Sequence, residues 1–344
     1  MNIFFNAVAN SKSMELLTEQ ELGFLCDATN IETMLKILGS HNLLQGLNIQ
    51  TYNDLISVVE LDEKNFLDFV KQNVVDKKIT AFFCLNNDYY NIQCAFTKIR
   101  LQKMNLSYKP EGLYKIADIE KAIENKNYGI FSNEQKFCLE TLDKTEKLTG
   151  FVLDTAFKKA KYLEFRRLSA CNKDLSIIAQ TYIDGLNLKN ALRFKDKNLM
   201  EVLFLEGGKV TKKELENLMQ KDYNKILNDT KFDDNALMIK FICTALIEKK
   251  PMTKFEKMQD LFAVNYFEAK KTDVNGLTPY LRYCYLKLNE ISNLRVIFEG
   301  KINGLNKNQI KNDIRRVYLW KVWLFYAIVW ILKFLKQLMQ MLKW

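Results

Sequence analysis

Between residues 76 and 104 apolar side chains recur at steps of three and four: Ala81, Phe82, Leu85, Tyr89, Ile92, Ala95, Phe96 and Ile99. That spacing gathers them on one broad face of a helix. The same pattern runs from Lys173 to Lys195 through Leu175, Ile178, Ala179, Tyr182, Ile183, Leu186, Leu188 and Leu192, and predicts a second long helix. A third is predicted from Thr278 to about Gly300, with Pro279 in its first turn, where a missing amide costs nothing. Further helices are expected at 52–59, 62–74, 133–168 (as one long element), 234–249 and 254–271, and from 307 to at least Tyr318. Thr18-x-x-Glu21 and Thr211-x-x-Glu214 fit capping boxes, and Asn30 and Asn306 fit N-caps. Gly39, Gly207-Gly208 and Pro251 mark stops.

Polar residues set into these helices repeat along the chain. Tyr162-Leu163-Glu164 is followed by Asp184-x-x-Asn187, Gly208 and Leu215. Ninety-six residues earlier stand Phe66-Leu67-Asp68, Asp88-x-x-Asn91, Gly112 and Ile119. About 103 residues later a looser third copy reads Tyr266-Phe267-Glu268, Lys287-x-x-Glu290, Gly304 and Ile310. The expected fold class is therefore all-α, with three pseudo-repeated helical units at 1–125, 126–225 and 226–318, followed by a distinct segment at 319–344.

Composition supports this reading. Three prolines and twelve glycines in 344 residues are too few for the turns of a strand-rich fold. A hydrophobic content of 48% suffices for packed cores and argues against disorder. The net charge of +10 comes from basic residues spread among 41 acids, without a basic block interleaved with stacking aromatics. It reads as a solvated helical surface, and no nucleic-acid partner is expected. The seven cysteines are odd in number, lack any C-x-x-C and sit mostly in apolar context, as small buried residues of a reducing compartment do. The start, MNIFFNAVANSK, lacks the basic lead and apolar run of a secretory signal.

Candidate chemistry is sparse. His41 is the single histidine and falls beside Gly39-Ser40 in an expected loop, whereas general bases, zinc ligands and activated nucleophiles mostly need histidine. There is no G-x-x-x-x-G-K-[ST] phosphate loop. The strongest polar constellation is the repeated pair itself: Asp88/Asn91, Asp184/Asn187 and Lys287/Glu290. Spacing of three puts each pair on one helix face. Paired carboxylates can do acid–base chemistry. Acids and amides recurring once per unit more often satisfy backbone groups or join helices, and Asp68, Glu164 and Glu268 are read the same way. Asp174, Arg193 and Arg295 are expected in inter-helix salt bridges. No catalytic, cofactor-binding or metal-ligating residue is assigned, and no cofactor is expected.

Certain segments resemble a known family. Ile183-Asp184-Gly185-Leu186-Asn187-Leu188-Lys189-Asn190-Ala191-Leu192-Arg193, then Glu206-Gly207-Gly208, and the run from Pro279-Tyr280-Leu281 through Asn289-Glu290-Ile291-Ser292-Asn293 to Lys301-Ile302-Asn303-Gly304 look like the C-type subunit of prokaryotic V/A-type ATPases, similar to the eukaryotic d-type subunit. Residues 9–28 resemble the family's start, and the likeness extends over about residues 1–318. It implies a non-catalytic, all-helical funnel of three related parts. Such a funnel would sit on the membrane rotor ring of proteolipid subunits, at the cytoplasmic membrane surface, and receive the central-stalk subunits. It would transmit torque for ATP-linked proton or sodium transport. The alternative is a general helical-repeat scaffold for another membrane-associated complex.

The family pattern ends near Tyr318, and the composition changes there. All four tryptophans (Trp320, Trp323, Trp330 and Trp344) lie beyond it. The eleven apolar residues between Lys321 and Lys333 are too few for the ~20 of a membrane span. An amphipathic, membrane-surface helix is expected there.

Overall fold

The computed structural model describes residues 2–103, 105–229, 235–273 and 276–315. The expectation for 319–344 lies outside them. Among the described residues every regular element is helical: α1 (Asn2–Ser13), α2 (Glu19–Asp27), α3 (Ile31–Ser40), α4 (Leu55–Gln72), α5 (Lys77–Leu101), α6 (Ile116–Glu124), α7 (Asn133–Lys144), α8 (Gly150–Ser169), α9 (Lys173–Phe194), α10 (Lys197–Leu203), α11 (Lys212–Met219), α12 (Tyr223–Asp229), α13 (Ala236–Ile247), α14 (Thr253–Glu268), α15 (Thr278–Ile302) and α16 (Lys307–Asp313), with a 3₁₀ turn at Tyr52–Asp54. The all-α fold expected from the apolar spacing is the fold observed.

The chain forms two compact units. One comprises residues 29–222; the other joins the described residues up to 28 to the described residues from Tyr223 to 315. In the first, α5 packs on α8 and on α6. Phe82 stacks on Phe165 with ring centroids 4.7 Å apart, and Phe66 meets Phe83 edge-on at 6.1 Å. In the second, α15 is the central element, flanked by α1 and α14. Tyr280, Phe255, Phe267 and Phe298 are fully enclosed there. Burying such a ring removes 150–250 Å² from water, so these aromatics dominate both cores.

Local chemistry sets most helix boundaries. Thr18 and Thr211 form the expected capping boxes with Glu21 and Glu214, and Ser132–Gln135 and Asn306–Gln309 add two more. Gln102 and Lys195, at the ends of α5 and α9, adopt the left-handed conformation, as does Gly304 just beyond α15. Each long helix thus ends in a reversal.

Three boundaries differ from expectation. The helix expected over 133–168 is two, α7 and α8. Thr145 leaves helical geometry, and Thr149 accepts the Val152 amide to start a new helix. The helices expected at 52–59 and 62–74 are one from Leu55, because Leu55, Val58, Val59, Asp62, Phe66 and Val70 make one continuous buried stripe. The last helix, expected to reach Tyr318, stops at Asp313, where a side chain from α15 captures the next backbone groups. Helix α1 has no counterpart among the expected elements. Its face is broken by Asn6 and its outward side carries exposed Ile3 and Phe4, so only contact with α15 makes it legible. Asn6 donates to the Gly276 carbonyl at 3.1 Å.

Candidate functional site

The repeated polar pairs are buried on the three long helices, and on α5 and α9 each pair spends its polar atoms on a returning backbone segment. On α5, Asn91 donates through Nδ2 to the Lys109 carbonyl (3.2 Å) and accepts the Lys109 amide at Oδ1 (2.8 Å). On α9, Asn187 holds Leu205 in the same two-pronged way, at 2.8 and 2.9 Å. A primary amide and a peptide are complementary, so one side chain satisfies both groups of a chain that has left regular structure.

The acid three residues earlier fixes the chain beyond. Asp88 Oδ1 accepts the Leu113 amide at 2.9 Å; Asp184 Oδ1 accepts the Val210 amide at 2.8 Å. Both carboxylates press on a glycine. A Cβ built on Gly112 would lie 2.3 Å from Asp88 Oδ1, and one on Gly208 would lie 2.1 Å from Asp184 Oδ1. The repeated Gly112 and Gly208 therefore reflect close approach. Gly208→Ala is expected to lower stability by about 1–3 kcal/mol, the usual cost of forcing extra atoms into a packed site. Chemical denaturation measures it, and a variant as stable as the parent would mean that Asp184 yields freely.

On α15 the bracket exists in a different register from the one expected. Asn293, not Glu290, holds the peptide: it accepts the Arg315 amide at 2.6 Å and donates to the Arg315 carbonyl at 3.0 Å. This ends α16 two residues earlier. The acid partner is Glu290, whose Oε2 accepts the Leu17 amide at 2.5 Å while Oε1 accepts from Lys287 at 2.6 Å. Glu290 lies two residues further from Glu268 than Asp184 lies from Glu164. A fixed sequence offset therefore lands on Lys287/Glu290. In the same correction, Ile310 corresponds to Met200 and not to Leu215. Each is a buried residue of a seven-residue helix that stops two positions before the bracketed peptide.

Leu17 stands to Glu290 as Val210 stands to Asp184. The next residues, Thr18 and Thr211, each cap a helix through a capping box, and buried Leu22 and Leu215 follow four positions later. Helix α2 packs on α15, and α11 packs on α9. The N-terminal segment thus supplies to α15 what the downstream chain supplies to α9.

The triplet acids behave differently from one another. Asp68 is half-exposed and pairs with Lys71 at 3.0 Å. Glu164 is buried and accepts from Ser132 Oγ (2.7 Å), Tyr89 Oη (3.0 Å) and Arg167 (3.2 Å), tying α8 to α5 and α7. Glu268 pairs with Arg282 at 2.6 Å across α14 and α15. Burial pushes the Glu164, Asp184 and Asp88 carboxyls up, Asp88 to about 7, although backbone donors pull the two aspartates the other way. Arg193 lies over the Phe194 ring, 5.4 Å from its centroid. His41 is the C-cap of α3. All seven cysteines are free thiols, with Cys171 exposed and the others buried. Among the described residues no three His, Cys, Asp or Glu side chains cluster as metal ligands, and no helix is long and apolar enough to cross a membrane.

Comparison with known proteins gives two matches. The family model described as ATP synthase (C/AC39) subunit matches residues 5–313. The C-type subunit of the V-type sodium ATPase from Enterococcus hirae is 18% identical over 323 residues, covering 91% of this chain and 98% of that protein.

Proposed function

The chain belongs to the ATP synthase (C/AC39) subunit family, and on that premise we propose that it is the non-catalytic spacer of a V/A-type rotary ATPase. It works with the other subunits of that assembly. In this reading it sits on the cytoplasmic face of the membrane, seated on the proteolipid rotor ring, and receives the foot of the central stalk. It carries torque between ATP turnover and proton or sodium translocation. Three related helical units, the third completed by the N-terminal segment, make up its funnel-like socket.

The observation that carries the reading is the family match over nearly the whole chain. The fate of the repeated polar residues supports it. Asp184, Asn187, Asn91 and Asn293 are buried and engaged with backbone groups, which braces a long helix against its return segment. A torque-bearing spacer needs such stiffness, since a fixed hydrogen-bonded network resists deformation where a mobile loop would absorb it.

The test is purification of the tagged chain from gently solubilised native membranes, with the co-purifying proteins identified by mass spectrometry. Ring and central-stalk subunits are expected at fixed ratio. Recovery of an intact rotor that lacks this chain would overturn the reading.

A further inference from the structure

Four lysines converge beside the Asn91 bracket. Lys158 and Lys161 stand three residues apart on α8 and share a face. Lys109 is brought toward Lys161 because Asn91 holds both of its backbone groups. Lys189, on α9, lies within the field of Lys158. All four are half-buried. Aromatic rings flank them: Lys109 Nζ is 5.0 Å from the centroid of the Tyr90 ring and Lys161 Nζ is 5.6 Å from that of Tyr162.

Among the described residues neither Lys158 nor Lys161 has a carboxylate partner. Asp154, one turn before Lys158, accepts instead from Gln93 Nε2 at 2.8 Å. Burial, then Lys109 and Lys158, push the Lys161 ammonium down to about 8; burial, then Lys189, push Lys158 down as well. Elsewhere on this surface lysines do meet acids, as Lys71 meets Asp68 and Lys212 meets Glu201. Like charges held together lower stability and leave a local positive potential that an anion would relieve.

We propose that this cluster is a docking site for an acidic segment of a neighbouring subunit, whose carboxylates meet the Lys158 and Lys161 ammonium groups. The proposal rests on the family reading, which places the chain in an assembly of several different proteins. Half-burial of the lysines favours a protein partner that projects carboxylate side chains, since a flat anionic bilayer first meets fully exposed cations. Compact ammonium charges match single carboxylate oxygens.

The test uses the purified full-length chain and a fluorescein-labelled hexaglutamate peptide, with binding followed by anisotropy at low salt. Lys158→Gln/Lys161→Gln is expected to weaken binding about tenfold, while the melting temperature holds or rises because repulsion is relieved. Lys158→Arg/Lys161→Arg should retain binding. Lys64→Gln/Lys136→Gln, which removes two exposed lysines outside the cluster, controls for overall charge and should leave binding within about twofold. Should the glutamine pair not fold, each single substitution carries the measurement, with about a threefold loss expected. Equal losses in cluster and control variants, or no loss in the cluster variants, would overturn the proposal. So would a dependence on Lys158 and Lys161 for anionic phosphatidylserine vesicles and not for the peptide. Peptide binding by the isolated chain does not depend on co-purification with a rotor, so failure here and failure of the rotor reading remain distinguishable.

Discussion

Asn187→Leu is expected to lower stability by about 2–5 kcal/mol. The leucine side chain is close in volume, so the effect arises from polar satisfaction and not from a cavity. Two groups lose their partner, the Leu205 amide and the Leu205 carbonyl, both held at hydrogen-bond distance in a buried site. An orphaned buried group costs about 1–3 kcal/mol, and here there are two. The variant also frees the segment that leads from α10 into α11, so hydrogen exchange should quicken at residues 203–211 before the rest of the chain. Denaturant titration with parallel exchange measurements checks both. An unchanged midpoint would show that water replaces the amide at no cost.

The second large effect is a pH dependence at Asp88. Its folded-state carboxyl lies near 7, well above the ordinary aspartate value, because burial outweighs the two backbone donors at Leu113 and Tyr114. The fold therefore favours the protonated form. The stability this lends is fully present below about pH 4 and is lost as pH rises through about 7. Asp88→Asn keeps an oxygen for the Leu113 amide and carries no charge at any pH. Relative to this variant, the natural chain should lose up to about 4 kcal/mol between pH 4 and pH 7. Asp184 shifts in the same direction but is present in both proteins and cancels in the difference, whereas Glu164, whose charge helps to raise Asp88, is coupled to it and adds to the loss in the same direction. Melting curves taken across that range decide the matter. Parallel curves, or a natural chain that gains on the variant as pH rises, would mean that the backbone donors outweigh burial.

These predictions concern the same few residues, and they separate what can be read along the chain from what cannot. Helix class, the long helices α5, α9 and α15, and the capping boxes at Thr18 and Thr211 follow from local rules. Periodicity and capping depend on neighbours within four residues, so sequence alone is sufficient for them. The repeat of acid, amide and glycine was also legible in the first two copies, where spacing is constant. It pointed to Asp88/Asn91 and Asp184/Asn187 without saying what they hold.

Only the tertiary structure decided the rest. Asn91, Asn187 and Asn293 reach peptides 18 to 22 residues away, and no local pattern announces which peptide. The third register was hidden because Glu290 lies two residues further from Glu268 than Asp184 lies from Glu164, so no constant offset carries the pattern across. The partner of Glu290 was hidden more deeply: Leu17 lies 273 residues from it, at the other end of the sequence. Residues that share a helix face are set by the 3.6-residue turn and can be counted. Residues that meet because two distant segments pack are set by the core that joins them. The sequence by itself determined that this chain is all-helical, with the likeness of a rotary ATPase subunit. Only the folded chain determined that α2, from the N-terminus, completes the bracket on α15, because a buried carboxylate takes whichever backbone donor the packing brings to it.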